Sequence, residues 1–137
     1  MKIGIVGCGL NSDYHINFAL AYPGAKIVGV VDKDQAKMKQ CTERFGISQG
    51  FTTINDLVST TGPDVIHIVT PPKTHFALAS EAIEHGCHVL IEKPMALNLE
   101  EGRELFVLAE KKGVKICSMH NHLFDPWMLK AKEVLKG

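Results

Sequence analysis

Apolar residues along this chain fall into two alternating patterns. Short unbroken runs occupy residues 2–6, 26–32, 64–69, 88–91 and 115–119. Within them apolar positions follow one another instead of alternating with polar ones. That predicts strands covered on both faces, as in a parallel sheet. Between the runs the apolar positions recur at helical spacing. Residues 12–22 carry Ile16, Ala19 and Leu20, and residues 34–45 form a charged amphipathic stretch stopped by Gly46. A short helix is predicted over 55–59. A longer one over 73–85 carries Phe76, Ala79 and Ile83, with Gly86 placed to end it. Asn98 and Glu101 have the spacing of a capping box that opens a helix running to Gly113. Residues 126–136 read as a last helix with Pro126 in its first turn. Strand and helix in this rhythm predict a doubly wound α/β domain with right-handed crossovers.

Composition narrows the class. The chain has 137 residues, 45% of them hydrophobic and 22% charged, which suits one domain with a real core and leaves no room for two. Fifteen basic and fifteen acidic residues cancel. No strong field recruits nucleic acid or an anionic membrane. No stretch approaches the roughly 20 apolar residues of a membrane span. The start Ile3-Gly4-Ile5-Val6-Gly7 is too short and glycine-rich for a signal peptide, so a cytoplasmic location is expected. Cys8, Cys41, Cys87 and Cys117 form no C-x-x-C pair and are expected to be reduced thiols.

The candidate chemistry begins at Gly7-Cys8-Gly9-Leu10-Asn11-Ser12, between the first strand and the first helix. The first glycine permits a tight turn, and the second lets the backbone approach a pyrophosphate. Free amides and the dipole of the helix start favour an anion there. Ser12 stands where G-x-G-x-x-G has its third glycine. It is small enough for close helix–strand contact, and its hydroxyl offers a further donor to phosphate. Asp32 closes the second strand, where an acid binds a ribose 2′-hydroxyl; the bland alternative is that it only caps the next helix. A carboxylate there repels a 2′-phosphate, so NAD is expected over NADP, with Lys33 able to offset part of that repulsion. No G-K-[ST] is present, which excludes a P-loop.

Further along stand Thr70-Pro71-Pro72-Lys73-Thr74-His75 and Gly86-Cys87-His88-Val89-Leu90-Ile91-Glu92-Lys93-Pro94. In this order they resemble the Gfo/Idh/MocA oxidoreductases, and the resemblance runs over essentially the whole chain. It implies a Rossmann domain over residues 1–137. Gly7, Cys8, Gly9, Leu10, Asn11 and Ser12 would hold the pyrophosphate. Asp32, with Lys33 beside it, would meet the adenosine ribose. Thr70, Pro71, Pro72 and His75 would line the cofactor cleft, and Glu92, Lys93 and Asn121 would face the nicotinamide side. Lys93 matches the family's catalytic-site lysine, and a cis bond before Pro94 is common in the family. A lysine beside a substrate oxygen can stabilise developing alkoxide and steer proton transfer; Glu92 is expected to orient it by charge pairing. Met119-His120-Asn121-His122 departs from the family's usual Arg pair. The implied activity is hydride transfer between NAD and a sugar, cyclitol or sugar derivative.

Family members carry a second α/β domain that reads substrate and mediates oligomers. The chain is therefore expected to be the cofactor half of a longer, homo-oligomeric enzyme, with the helix over 126–136 leading toward the missing domain. A stand-alone NAD-binding module or redox sensor is the alternative. His120 and His122 would share a face on an extended segment, but they lack a second ligand pair, so no metal is expected. His67 lies in an apolar run and reads as a buried, satisfied histidine. Cys8 reads as a small apolar filler, against the alternative of a thiol acidified by the helix start.

Overall fold

The computed structural model describes residues 1–136. A parallel six-stranded sheet forms the middle layer. Its strands are β1 (Lys2–Val6), β2 (Lys26–Val31), β3 (Gly50–Phe51), β4 (Val65–Ile68), β5 (His88–Ile91) and β6 (Ile116–Ser118). Their order across the sheet is β3-β2-β1-β4-β5-β6. The order reverses between β1 and β4, and such a switch point opens a crevice beyond the strands' carboxyl ends. Six α-helices join the strands or follow them: α1 (Ser12–Ala21), α2 (Gln35–Phe45), α3 (Ile54–Thr61), α4 (His75–Glu84), α5 (Leu99–Lys112) and α6 (Pro126–Lys136).

The unbroken apolar runs have the expected cause. Side chains alternate across a strand, and here both faces are covered. Ile3 and Ile5 of β1 pack with Val30, Ile16 and Ala19 on the α1 side. Val6, Ile66, Ile68, Val89 and Ile91 pack with Ile54, Leu57, Ala79, Ile83 and Leu105 on the opposite side, under α3, α4 and α5. Gly4 belongs to this second face. A Cβ at Gly4 would lie 2.6 Å from Leu57 Cδ2, so the missing side chain is what lets α3 settle on the sheet.

Helix starts follow the polar signals closely. Asp34 caps α2, its Oδ1 accepting the amides of Ala36 and Lys37 at 3.0 and 3.2 Å. Thr53 caps α3. Asn98 caps α5 by accepting the Glu101 amide at 2.9 Å, while Glu101 reaches back to the Leu97 amide at 3.1 Å. The reciprocal pair thus closes one residue earlier than the standard box.

The helices depart from the sequence pattern in two places. Leu20, which shares helical spacing with Ile16 and Ala19, is exposed; the buried stripe is Ser12, His15, Ile16 and Ala19. The segment before α4 is not one helix from residue 73. A 3-10 turn over Pro72–Thr74 precedes it, because Pro72 has no amide to donate. Every residue of α6 is exposed, with Trp127 and Leu135 on its surface. No helix among the described residues is long and apolar enough to cross a membrane.

Candidate active site

The predicted site residues all lie beyond the carboxyl ends of strands, along one edge of the sheet. Gly7 turns the chain out of β1 with φ +103°, and its amide donates to Val31 O at 2.8 Å. A Cβ on Gly7 would stand 3.0 Å from both Val69 O and Thr70 Cγ2. Next comes Cys8, whose amide donates to Asp32 Oδ2 at 2.8 Å. The other carboxylate oxygen, Oδ1, accepts the Asp34 amide at 2.9 Å. Asp32 therefore ties the glycine corner to the end of β2, and the capping of α2 falls to Asp34. Lys33 is exposed between them.

Past this corner the amides of Gly9, Leu10 and Asn11 donate to no protein group among the described residues. They precede α1, whose N-terminus carries partial positive charge. No protein atom lies within 4 Å of the point where a Gly9 Cβ would sit. Beside the loop, between α1 and α2, is a cavity of about 490 Å³ lined by Cys8, Gly9, Leu10, Asp13, Lys37, Gln40, Cys41 and Arg44. An Arg44–Asp13 ion pair links the two helices at this cavity.

Three expectations about this edge are corrected. Ser12 is fully buried and its hydroxyl donates to Gly9 O at 2.5 Å, so it shapes the loop from within and has no proton to offer a phosphate. His75 is also fully buried and lines no cleft. Its Nδ1 lies 2.7 Å from Pro94 O and its Nε2 2.7 Å from Thr70 O. It clamps the loop after β4 to the loop after β5, where the Lys93–Pro94 bond is cis. The exposed lining at β4 comes from Pro71 and Pro72, with half-buried Thr70 bonded to Thr74 Oγ1 at 2.8 Å. Glu92, finally, does not pair with the Lys93 ammonium. Its Oε2 accepts the Lys93 backbone amide at 3.1 Å and its Oε1 lies 3.1 Å from His15 Nε2. Lys93 is exposed, and among the described residues its ammonium meets no carboxylate.

His15 is the residue that sequence reasoning missed. It occupies the buried stripe of α1, and a histidine at that stripe position was the available signal. Its Nδ1 lies 3.3 Å from Nδ1 of His67 on β4, the two rings meeting edge to face. Burial, followed by the neighbouring His15, pushes the His67 imidazole down to about 4. The sign follows from linkage. The unfolded imidazole titrates near 6.5, so between about pH 6.5 and 4 the unfolded chain binds the extra proton. The stability of neutral His67 is complete above that window and falls by roughly 3 kcal/mol through it. Urea unfolding from about pH 7 to about pH 4.5 should show the loss, and His67→Asn should flatten it. An equally steep loss in the variant would remove His67 as the cause.

The remaining candidates behave differently. The neighbouring Cys41 thiol, followed by burial, pushes the Cys8 thiol up, opposite to the direction a helix start alone would favour. His120 and His122 do not share an extended strand, because a 3-10 turn over Asn121–Phe124 follows β6. His122 Nδ1 instead contacts Asp125 Oδ2 at 2.9 Å. Asn121 is exposed at the start of that turn. His88 Nδ1 accepts the Lys115 amide at 2.9 Å.

Strand order, glycine corner and closing acid together define a dinucleotide-binding Rossmann domain. Comparison with known proteins agrees. Residues 1–120 match the Gfo/Idh/MocA model, described as an oxidoreductase family with an NAD-binding Rossmann fold, and the chain belongs to that family. It is 31% identical over 134 residues to the scyllo-inositol 2-dehydrogenase (NAD(+)) of Bacillus subtilis, covering 96% of this chain and 39% of that protein. The crystal structure of GenD2 from gentamicin A biosynthesis, in complex with NAD, matches with a TM-score of 0.92 at 28% identity, over 98% of this chain and 38% of that one. The WlbA dehydrogenase of Bordetella pertussis, in complex with NADH and UDP-GlcNAcA, matches with a TM-score of 0.93, over 98% of this chain and 41% of that one. At 24% identity that likeness speaks for the fold alone. The chain spans about two fifths of the length of these relatives.

Proposed function

We propose that this chain is the cofactor-holding domain of an NAD-dependent dehydrogenase acting on a sugar, cyclitol or sugar derivative. One observation carries the reading. Three successive amides, of Gly9, Leu10 and Asn11, stand without protein partners among the described residues at the sheet's switch point. Nothing in the fold requires glycine at position 9, whose φ is not positive and whose Cβ position is open. The absent side chain makes physical sense if another molecule approaches that backbone. The cradle therefore fits a pyrophosphate, held by these amides and the α1 dipole.

Asp32 would accept the adenosine ribose hydroxyls while still holding the Cys8 amide, since a carboxylate has lone pairs for both. Pro71 and Pro72 would wall the cleft beyond β4. Lys93 stands exposed past β5, its ammonium meeting no carboxylate among the described residues, and would stand on the nicotinamide side. When bound, NAD supplies the hydride acceptor. Lys93 would donate a hydrogen bond to the substrate oxygen and hold the charge that develops on it. Asn121 would stand on the same side. The scyllo-inositol dehydrogenase named above supports a polyol-type substrate, and the span of about two fifths of the relatives' length supports a longer enzyme. A substrate alcohol of that kind would be chosen largely by residues outside this chain.

Titration with NADH and NADPH, followed by nicotinamide fluorescence, tests the reading. NADH should bind more tightly, because a 2′-phosphate would face the Asp32 carboxylate. Absence of binding by either at millimolar concentration would falsify the dinucleotide role, and tighter binding of NADPH would overturn the part given to Asp32.

A further inference from the structure

We propose that His15 and His67 are positioning residues: the hydrogen-bonded chain His67–His15–Glu92 holds the Glu92 carboxylate under the Lys93 amide and so keeps it away from the Lys93 ammonium. The proposal rests on the functional reading of Lys93 above, although the contacts themselves do not depend on it.

The chain joins three elements. His67 comes from the middle of the sheet, His15 from the buried stripe of α1, and Glu92 from the end of β5. His15 and His67 are 4% and 5% exposed, so their ring nitrogens have little access to water. In such a place an unpaired nitrogen costs roughly 1–3 kcal/mol, which favours the proton arrangement that pairs both nitrogens of His15. A carboxylate only accepts, so the 3.1 Å contact with Glu92 Oε1 requires a proton on His15 Nε2. The 3.3 Å contact between the two Nδ1 atoms then holds one proton between them. His67 thereby completes the bonding of His15, and His15 fixes the rotamer of Glu92.

Consider Glu92 without this chain. A glutamate next to a lysine at a strand end can swing to the ammonium, the arrangement that sequence alone suggests. An ion pair there would neutralise the charge that Lys93 needs for a substrate oxygen. With both oxygens engaged, by His15 and by the Lys93 amide, the carboxylate is committed inward. Its side chain is only 16% exposed, consistent with that commitment. The same contact draws the Lys93 backbone against the sheet edge and limits where its side chain can start.

Nuclear magnetic resonance on the 15N-labelled chain tests this without any nucleotide. Ring-nitrogen spectra should show His15 protonated at Nε2. The Lys93 amide proton should lie downfield and exchange slowly, as expected for donation to a carboxylate. His15→Leu removes the donor; the Lys93 amide should move upfield and exchange with water at least about tenfold faster. His15→Gln can still offer an N–H to Glu92 and should restore much of both signals, which general packing damage would not allow. If His15→Leu does not fold, Glu92→Gln replaces it. The amide signal should then shift as it loses its charged acceptor, with the His15 ring signal changing alongside. An unprotonated His15 Nε2, or a Lys93 amide indifferent to both His15→Leu and Glu92→Gln, would overturn the proposal. Loss of NADH binding with these signals intact would count against the dinucleotide reading alone.

Discussion

Gly7→Ala is expected to destabilise the chain by about 3–4 kcal/mol, a large share of the 5–15 kcal/mol typical of a domain. Two costs combine. A φ of +103° is a conformation that alanine adopts only under strain, on the order of 1–3 kcal/mol. The new methyl would also press at 3.0 Å on Val69 O and 3.1 Å on Thr70 N, both backbone atoms that cannot rotate away. Relief by moving the corner would break the Gly7–Val31 bond at 2.8 Å. Urea unfolding should show a lowered midpoint with an unchanged slope. A loss under about 1 kcal/mol would mean that the corner is not held as described. Gly9→Ala makes the informative contrast. Its φ is ordinary for any residue and the Cβ position is open, so stability should stay within about 0.5 kcal/mol. Its effect should appear in NADH affinity instead.

Leu57→Ala should cost about 2–5 kcal/mol, the usual range for a fully buried leucine. The leucine is unusual in what lies beneath it. Its Cδ2 is 2.6 Å from a Cβ built on Gly4, and its Cδ1 is 2.9 Å from one built on Gly29. It fills space that two strand glycines leave vacant. Gly4→Ala alone should therefore destabilise by about 1–3 kcal/mol through overpacking. The double variant should lose less than the sum of the two, by about 1 kcal/mol or more, because the new methyl enters the room vacated by the leucine. Simple additivity would show that α3 can shift to accommodate either change.

Much of this architecture is legible in residue order because each signal acts locally. Ile27, Val28, Val30 and Val31 announce β2 by their branching, and Asp34 and Asn98 mark helix starts by offering side-chain acceptors to the following amides. The two residues of β3 are too few to show any period. Gly50 and Phe51 join the sheet because Val30 and Val31 offer a free edge, which is a tertiary cause. The site divides in the same way. Placement of Gly7, Asp32, Thr70 and Lys93 beyond strand ends follows from where the runs stop. Partner choice does not. Glu92 sits next to Lys93 in sequence, yet its carboxylate bonds His15, 77 positions away. Ser12 and His75 look like ligands by residue type, and burial, which no short window reveals, turns both inward. The family motif points to these loops and does not say which side chains of each loop face out.

The bond from the Cys8 amide to Asp32 has a consequence for binding entropy. A glycine-rich turn left to itself samples many conformations, and a ligand that bound it would have to freeze them. This corner is already stitched to the neighbouring strand by a carboxylate, so folding, not binding, removes that freedom. Asp32→Ala would thus loosen the loop as well as delete a contact. Any NADH affinity it loses sets an upper limit on the carboxylate's direct contact, since part of the loss is the cost of ordering a loosened loop.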